Sequence, residues 1–492
     1  MTTRRQICSL LAAALTAPAV LSPGASAAAD APNEEFDLVI IGAGMAGLSC
    51  ACIAAELGLR RIVILEQEPV IGGTSINTNG FWTVAGTDMQ RANGIEDSNE
   101  AFFSDMRRIG DYVNDEQLVR AFVQANADQY RWFLDHGITP KRLVTEAGVR
   151  RAHVFDILEL MEFLRRHALS LGVQIHTGVK ARQLLRLGPD KARINAVETI
   201  RSNSTCIYQA RDGVLIATGG FSRNKKLIEQ FVPLLSKAEV VAGEGAMGDG
   251  LVMAMEHGAQ VIDTQYVKAS FGFVRTPSTM ADLSLVQYSG AIIVNRNARR
   301  FADEALPYKQ IADLALRQPG KETYLVFDER IRRQSMLQPP DDALWKPIDR
   351  GIVPEYVFRG DTIEDAAVQA GLDPAALRQS VDRYNGLVRA GADTDFGRRR
   401  LSGREDGRLQ EIRTAPFYIV PSTPAIIGTY AGLKINTQAM VLDRNDRPIA
   451  GLWAAGEVTG GIHGASFIMG SALAKATAFG RIAAQSIVRS RR

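Results

Sequence analysis

A short β-rich apolar run, Phe36-Asp37-Leu38-Val39-Ile40-Ile41, passes directly into Gly42-Ala43-Gly44-Met45-Ala46-Gly47 and then into a helical pattern, LSCACIAAELG. Strand, G-x-G-x-x-G and helix in immediate succession specify the first crossover of a dinucleotide-binding fold. Gly42 permits the tight turn, Gly44 lets a pyrophosphate approach the backbone, and Gly47 lets the helix pack closely on the strand. The helix N-terminus then turns its positive dipole end to the phosphates. A second strand, residues 61–65 (RIVIL), ends in Glu66, whose carboxylate is placed to accept ribose hydroxyls. Those flanking features raise the motif well above a chance match of glycines.

The residues after Glu66 separate one dinucleotide from another. The run EQEPVIGGTSINTNGFW supplies Gln67, the pair Gly72-Gly73, then Thr74, Ser75, Asn79 and Gly80. A glycine pair just past the ribose-binding carboxylate resembles the two-dinucleotide flavoprotein pattern, in which this segment lines FAD; plain nicotinamide dehydrogenases do not carry it. Two more strand-to-glycine turns follow: VLIATGG, with Ala217, Thr218 and Gly219, and GLWAAGE, with Gly456 and Glu457. The second precedes Gly470-Ser471-Ala472-Leu473 and a helix running to about residue 488. Each turn can aim backbone N–H groups at a cofactor. Many of the 44 glycines are thus gathered in four turns at the two ends of the chain.

Between these blocks the pattern changes. Residues 97–172 read as mainly helical, and 179–213 as a small β-meander. Residues 260–415 are mixed, with β-rich GAIIVN and TYLVFD segments, helices and Pro/Gly loops. The expected fold class is α/β: a two-dinucleotide, Rossmann-like FAD-binding domain (residues 33–260 and 416–492) interrupted by an α+β capping domain (261–415). A substrate site is expected between the two. The polar stretch 391–407 reads as a solvated surface loop.

Composition narrows the partners. With 57 Lys and Arg against 54 Asp and Glu, the chain has no basic surplus to make nucleic acid its main partner. No apolar run is long enough for stable membrane insertion. Four cysteines in 492 residues are too few for a disulfide scaffold, and Cys50 and Cys52 read as apolar core within the first helix. The histidines at 136, 153, 167, 176 and 257 show no metal-ligand spacing, so no metal is expected. No Cys-x-x-Cys-His occurs to hold a c-type haem. Residues 1–27 have a positive tip (Arg4, Arg5), an apolar stretch and the small-x-small end Ala25-Ser26-Ala27. They read as an export signal peptide, of twin-arginine or ordinary secretory type, that places the protein in the periplasm or outside the cell.

The whole chain beyond the signal resembles the soluble fumarate reductase and flavocytochrome c flavoprotein family. The motifs are GAGMAG, EPVIGGTS, ATGGF, the GDG of residues 248–250, NRNARRFADE (295–304) and AAGEVTGGIHGAS (454–466). The resemblance implies FAD, a capping domain, and hydride transfer between flavin N5 and a carbon–carbon double bond activated by a carbonyl-type group. It adds Met45, Ala46, Val179 and Asp249 to the FAD-contacting residues. It also implies a separate electron donor or acceptor, such as a cytochrome or quinone, because no nicotinamide site is evident.

The family's dicarboxylate residues are largely replaced. Where fumarate reductases place a carboxylate-clamping Arg after HGA, this chain has Ser466-Phe467. The cap His falls near Ser270, and the cap Thr-Glu pair and Arg fall near Leu283, Ser284 and Gln287. Phe cannot supply the bidentate contact of an Arg, which argues against a dianionic substrate. Phe467, Ser270 and Gln287 are therefore the expected substrate residues, with Phe271, Tyr266 and Tyr430 making the pocket more apolar. The family's proton-donating Arg aligns with Tyr308, and its Leu-Pro-Tyr context is similar to that of flavin-dependent 3-ketosteroid dehydrogenases. Tyr308 is either the proton-transfer group or a tyrosine packed in the cap; Tyr430 is a second candidate, to hold a substrate oxygen. His463, in a glycine-rich turn, has no catalytic assignment.

Three readings follow. The first is an FAD oxidoreductase for a mostly uncharged enone- or acrylate-like substrate. The second keeps a carboxylate substrate, with Lys268, Arg275 or Lys309 as counter-charge. The third is a flavin-carrying electron-transfer or chaperone-like protein without an organic substrate.

Overall fold

The computed structural model describes residues 33–491 apart from 147–149, 190, 268, 275–278, 338–339 and 405. The expected signal segment, Lys268 and Arg275 lie outside the described residues. The chain opens with strand β1 (Asn33–Ile41), helix α1 (Met45–Glu56) and strand β2 (Ile62–Glu66). Helices α2 (Glu116–Asp135) and α3 (Ile157–Ser170) follow. Next come β3 (Gln174–Thr177), β4 (Lys180–Leu185), β5 (Ala196–Arg201) and β6 (Ser204–Ile216). The chain then crosses into the cap: β7 (Glu239–Val240), β8 (Ala269–Val274), β9 (Ile292–Asn295), α4 (Tyr308–Ala315), β10 (Thr323–Asp328), β11 (Phe358–Gly360) and β12 (Phe417–Ile426). It returns through β13 (Met440–Leu442), β14 (Pro448–Ala454) and α5 (Ser471–Arg489).

The cofactor domain is built on an eight-stranded sheet ordered β13-β14-β6-β1-β2-β3, with β5 and β4 added beside β6. The five central strands from β14 to β3 are parallel. Helices cover this sheet, so its strands read as continuous apolar runs: all five residues of β2 are buried. Register brings Ala454, Ile216, Ile41 and Leu65 into one row across four strands. Each of these ends runs into one of the turn segments read from the sequence, so the turns share the carboxyl edge where open parallel sheets bind ligands. Cys50 and Cys52 are fully buried in α1, where burial holds their thiols protonated.

The cap sheet places the domain boundaries elsewhere than the sequence suggested. β12 pairs with β10 over residues 417–422, with β11 over 417–419, with β8 over 422–426, and with β7 at its end. Residues 239–240 and 417–426 therefore belong to the cap sheet, although they were expected in the cofactor domain. Pro416 reads as a boundary because it cannot donate to a ladder, yet it stands immediately before the cap's central strand.

The stretch 391–407 is likewise not simply a solvated loop. Asp393, Arg398 and Leu401 are buried. Arg398 lies 3.3 Å from the Glu304 carboxylate and donates to the Ala291 carbonyl at 3.1 Å and to the Gln287 carbonyl. Arg300 donates to Glu304 (2.9 and 2.8 Å) and to Asp393 (2.8 Å). Two guanidinium and two carboxylate groups thus neutralise one another inside the cap. Polar residues were sequestered here because their partners sit about a hundred residues away, beyond any local pattern.

A second buried carboxyl gives the cap a pH signature. Asp341 accepts the Leu285 N–H at 3.2 Å, and burial pushes its carboxyl up to about 7. The folded state then keeps a proton that the unfolded chain releases near the ordinary value of 3.8. Its contribution to stability is full below about 4 and is lost as the pH rises through about 7. Asp341→Asn is expected to flatten that slope, seen as cap-unfolding midpoints that converge at low pH and separate in favour of the variant above neutrality.

Candidate active site

A cleft of about 890 Å³ opens at the carboxyl edge of the parallel sheet. Its wall holds Gly42, Gly44, Met45, Ala46, Glu66, Gln67, Gly73, Thr74, Ser75, Val179, Ala217, Thr218, Gly219, Asp249, Gly456 and Glu457. A second cleft, of about 1120 Å³, shares Thr74, Ser75, Glu457 and Ala476 with it, so the two are continuous. Asn79, Gly470, Ala472 and Leu473 stand on that second wall. Gly80 stands on neither: its Cα packs on the Phe155 carbonyl, where an added Cβ would sit at 2.0 Å.

The geometry of the first turn follows from its glycines. Gly42 has φ +109°, and a Cβ there would meet the Ala217 carbonyl oxygen at 2.3 Å. A Cβ on Gly47 would meet the Gly42 carbonyl oxygen at 2.0 Å, so α1 can lie on β1 only without one. Gly44 is different, since an added Cβ finds nothing nearer than Ser75 Oγ at 3.7 Å. Its missing side chain leaves room for a ligand rather than for the fold. Gly44→Ala is therefore expected to fold normally but to lose flavin, checked by visible absorbance per folded chain. Gly47→Ala is expected to disturb α1 itself, checked by circular dichroism.

The cleft suits a large anionic dinucleotide. The N-cap of α1 is Gly44, with no side-chain cap and no acidic residue in the first turn, so its amide end faces the wall with only the Ser75 hydroxyl accepting from Met45 N–H at 3.3 Å. α5 starts at the second cleft in the same way, behind Gly470. Glu66 ends β2 and accepts the N–H groups of Ala43 (2.9 Å) and Glu68 (3.0 Å), which fixes its carboxylate at the rim. Thr218 Oγ1 and Asn79 Nδ2 are buried on the wall with no hydrogen-bond partner among the described residues. Buried polar atoms are rarely left so, and a bound dinucleotide would satisfy them.

Beyond the shared residues the wall is largely aromatic and apolar, with Phe81, Val241, Met280, Leu283, Tyr308, Tyr430, Phe467 and Met469, but it also carries Lys309, Thr429, His463 and Lys475. Tyr308 is the first residue of α4, following Pro307, and is buried. Phe467 stands edge-on to Tyr308 at 6.5 Å, and its ring centre is 5.7 Å from both Tyr430 and His463. Lys309 Nζ lies 5.0 Å from the Phe467 ring centre, 5.3 Å from that of Tyr430 and 5.8 Å from that of Tyr308. Burial pushes the Tyr430 phenol well above 10, with Tyr308 adding to the shift, so Tyr430 is a neutral hydroxyl. Burial, then the charges of Lys475 and Lys309, holds His463 neutral.

The remaining expected substrate residues are elsewhere. Ser270 on β8 and Gln287 are fully buried but stand off the cleft wall, as does Phe271; Tyr266 is half-buried and also off it. Ser270 and Gln287 are both enclosed by the cap: β8 is buried along its whole length, and the Gln287 backbone carbonyl accepts from the buried Arg398. Two groups went unrecognised in the sequence. Thr429 donates its N–H (2.8 Å) and hydroxyl (3.2 Å) to Glu457, joining the β12 end to the cofactor domain. Lys475 donates to the Thr459 carbonyl at 2.7 Å, and burial brings its ammonium down to about 8. A single lysine within the small-residue run SALAKATAFG was its only signal.

Comparison with known proteins agrees with this geometry. The family described as FAD binding domain matches residues 37–473. A probable fumarate reductase of Shewanella frigidimarina is 32% identical over 465 residues, covering 93% of this chain and 75% of that protein. The open conformation of a flavocytochrome c3 fumarate reductase superposes with a TM-score of 0.79 at 30% identity, over 94% of this chain and 80% of that one. A 3-ketosteroid-Δ4-(5α)-dehydrogenase from Rhodococcus jostii has a TM-score of 0.76 at 23% identity, over 95% of this chain and 100% of that one, a likeness of fold. The chain belongs to the FAD binding domain family, and it is an FAD-dependent oxidoreductase acting on CH–CH bonds.

Proposed function

We propose that this enzyme exchanges hydride between its flavin and an activated carbon–carbon bond of a mostly uncharged, enone- or acrylate-like substrate, with Tyr308 moving the proton. The observation that carries this reading is the wall of the second cleft. No guanidinium stands on that wall among the described residues; aromatic and aliphatic side chains line it beside Lys309 and Lys475, and Phe467 packs against Tyr308 and Tyr430. Bound in the cleft, FAD supplies hydride exchange through N5 of its ring. In the reductive direction Tyr308 gives its phenolic proton to the α-carbon as hydride reaches the β-carbon; dehydrogenation is the reverse. A tyrosine with a reference pKa near ~10 is a competent acid toward enolate-like carbon. Tyr430, kept neutral, holds the substrate carbonyl oxygen by its hydroxyl, which has no hydrogen-bond partner among the described residues.

A second reading has its own support. The Lys309 ammonium above the Tyr308, Tyr430 and Phe467 rings could offset one carboxylate. The two readings separate in one assay, in which the dye-reduced enzyme is mixed anaerobically with a ketosteroid, a cinnamate-type enone and free cinnamate. Reoxidation by the neutral compounds, unaffected by Lys309→Gln, supports the first reading. Reoxidation confined to cinnamate, with KM raised by Lys309→Gln, supports the second.

The segment 1–27 supports export to the periplasm or beyond, as a twin-arginine or ordinary secretory substrate. A separate cytochrome or quinone is the electron partner we infer. No helix among the described residues is long and apolar enough to cross a membrane.

A further inference from the structure

On the wall of neither cleft, Glu56, His136 and His167 bring one ligand atom each to within 4.8 Å of one another. No pair of them is close in sequence, because each comes from the end of a different helix. Glu56 is the last residue of α1, His136 is the C-cap of α2, and His167 lies in the last turn of α3. Three carboxyl ends of helices, each carrying partial negative charge, therefore converge. Neither α1 nor α2 has a basic residue in its last turn, and in α3 the only one is His167 itself. A cation at this point would answer all three ends. Arg481, the nearby cation whose field reaches Glu56, donates instead to Gln129 at 2.9 Å.

The groups are also oriented as ligands need to be. His136 Nδ1 is 2.8 Å from the Trp132 carbonyl oxygen, which makes Nδ1 the donor and leaves Nε2 with its lone pair free. That Nε2 is 3.7 Å from Glu56 Oε1. His167 Nε2 donates to the same oxygen at 2.7 Å, and an incoming ion would take the place of that proton. The other Glu56 oxygen accepts the Trp132 indole N–H at 3.0 Å, so the carboxylate is steered by an outer partner. Ring packing fixes the imidazoles: Phe163 stacks on His167 at 5.5 Å with 15° between planes, and Trp132 lies 4.4 Å from His136. A metal held at ~2.0–2.2 Å by these atoms would need neighbours about 3.3 Å apart, so rotation of the rings and carboxylate by a fraction of an ångström to about an ångström completes the set.

We propose that Glu56, His136 and His167 form a site for a divalent transition cation of the zinc type, with water completing its coordination. Two imidazoles and one carboxylate favour Zn²⁺ or Cu²⁺ over Mg²⁺ or Ca²⁺. α1 spans about 17 Å from its pyrophosphate end to Glu56, so the ion would clamp the helix carrying the dinucleotide turn to α2 and α3 without touching the reacting groups.

The test uses chelator-treated holoenzyme. Isothermal titration with Zn²⁺ should give one ion per chain and a raised thermal midpoint, and Cu²⁺ should give an electron paramagnetic resonance spectrum split by two imidazole nitrogens. His136→Gln and His167→Ala should each weaken Zn²⁺ binding at least about tenfold, with flavin content and turnover unchanged as proof of folding. Equal binding by wild type and both variants, or no one-to-one binding with a Cu²⁺ spectrum lacking nitrogen splitting, would overturn the proposal. The Cu²⁺ spectrum of the wild type decides the matter even if a variant fails to fold.

Discussion

Replacing Tyr308 with Phe is expected to lower turnover on a good substrate by about 10²–10⁴-fold while leaving flavin content, fold and KM nearly unchanged. The reason is positional. Tyr308 begins α4 at the wall of the flavin-side cleft, edge-on to Phe467, and its phenol is one of two proton-bearing groups, with Lys309, that α4 brings to the wall. The neighbouring His463 and Tyr430 cannot readily substitute, and Lys309→Gln and Lys475→Gln made beside it test the two ammonium groups on the same wall. His463 is held neutral by burial and by two lysines, and burial keeps the Tyr430 phenol from ionising. Tyr430→Phe should act differently, raising KM more than it lowers kcat, because a hydroxyl that only holds the carbonyl oxygen contributes to binding in both the ground and transition states. Stopped-flow measurement of flavin reoxidation with each variant separates the two roles. Unchanged turnover in Tyr308→Phe would remove it as the proton donor.

The largest effect on stability is expected from Glu304→Ala. Glu304 and Arg398 have fully buried side chains, with Arg300 and Asp393 closing the group. Removing one carboxylate leaves two guanidinium groups facing the Asp393 carboxylate in the buried interior of the cap. Breaking such a buried set costs on the order of 3–5 kcal/mol. The loss should appear as a lower denaturation midpoint for the cap, followed by fluorescence of the buried Trp345. Glu304→Gln, which keeps one acceptor oxygen but turns an NH2 donor toward the guanidinium groups, should fall between. The substitution should also reach catalysis, because Glu304 is four residues before Tyr308 and accepts the Ile293 N–H at 3.2 Å, tying the Tyr308 segment to β9.

What the sequence made legible follows from the range of the interactions concerned. The glycine turns were readable because each contact that demands them is encoded within a few residues: Gly47 must lack a side chain because Gly42 lies directly beneath it. The carboxyl edge of the sheet then brought those turns together without further information. Tyr308 could be singled out because it follows the NRNARRFADE block at a fixed distance. β12 resisted reading because its sequence, FYIVPSTPAI, contains Pro421 and Pro424, which normally exclude a central strand. It tolerates them because its pairing partners change along its length. Ser270 and Gln287 could be aligned with family positions, but only packing determines whether such a residue faces the cleft or the cap interior. Arg398 looked like one more charge in GADTDFGRRRLSGREDG, and only the fold brings Glu304 to meet it.

Charge at the substrate end is the central claim, and a matched pair of compounds tests it most directly. Dimethyl fumarate and fumarate share one activated double bond and differ in two negative charges. Mixed anaerobically with the reduced holoenzyme, the diester should reoxidise the flavin rapidly and the dianion slowly or not at all. Rapid reoxidation by fumarate, with the diester inert, would contradict the account.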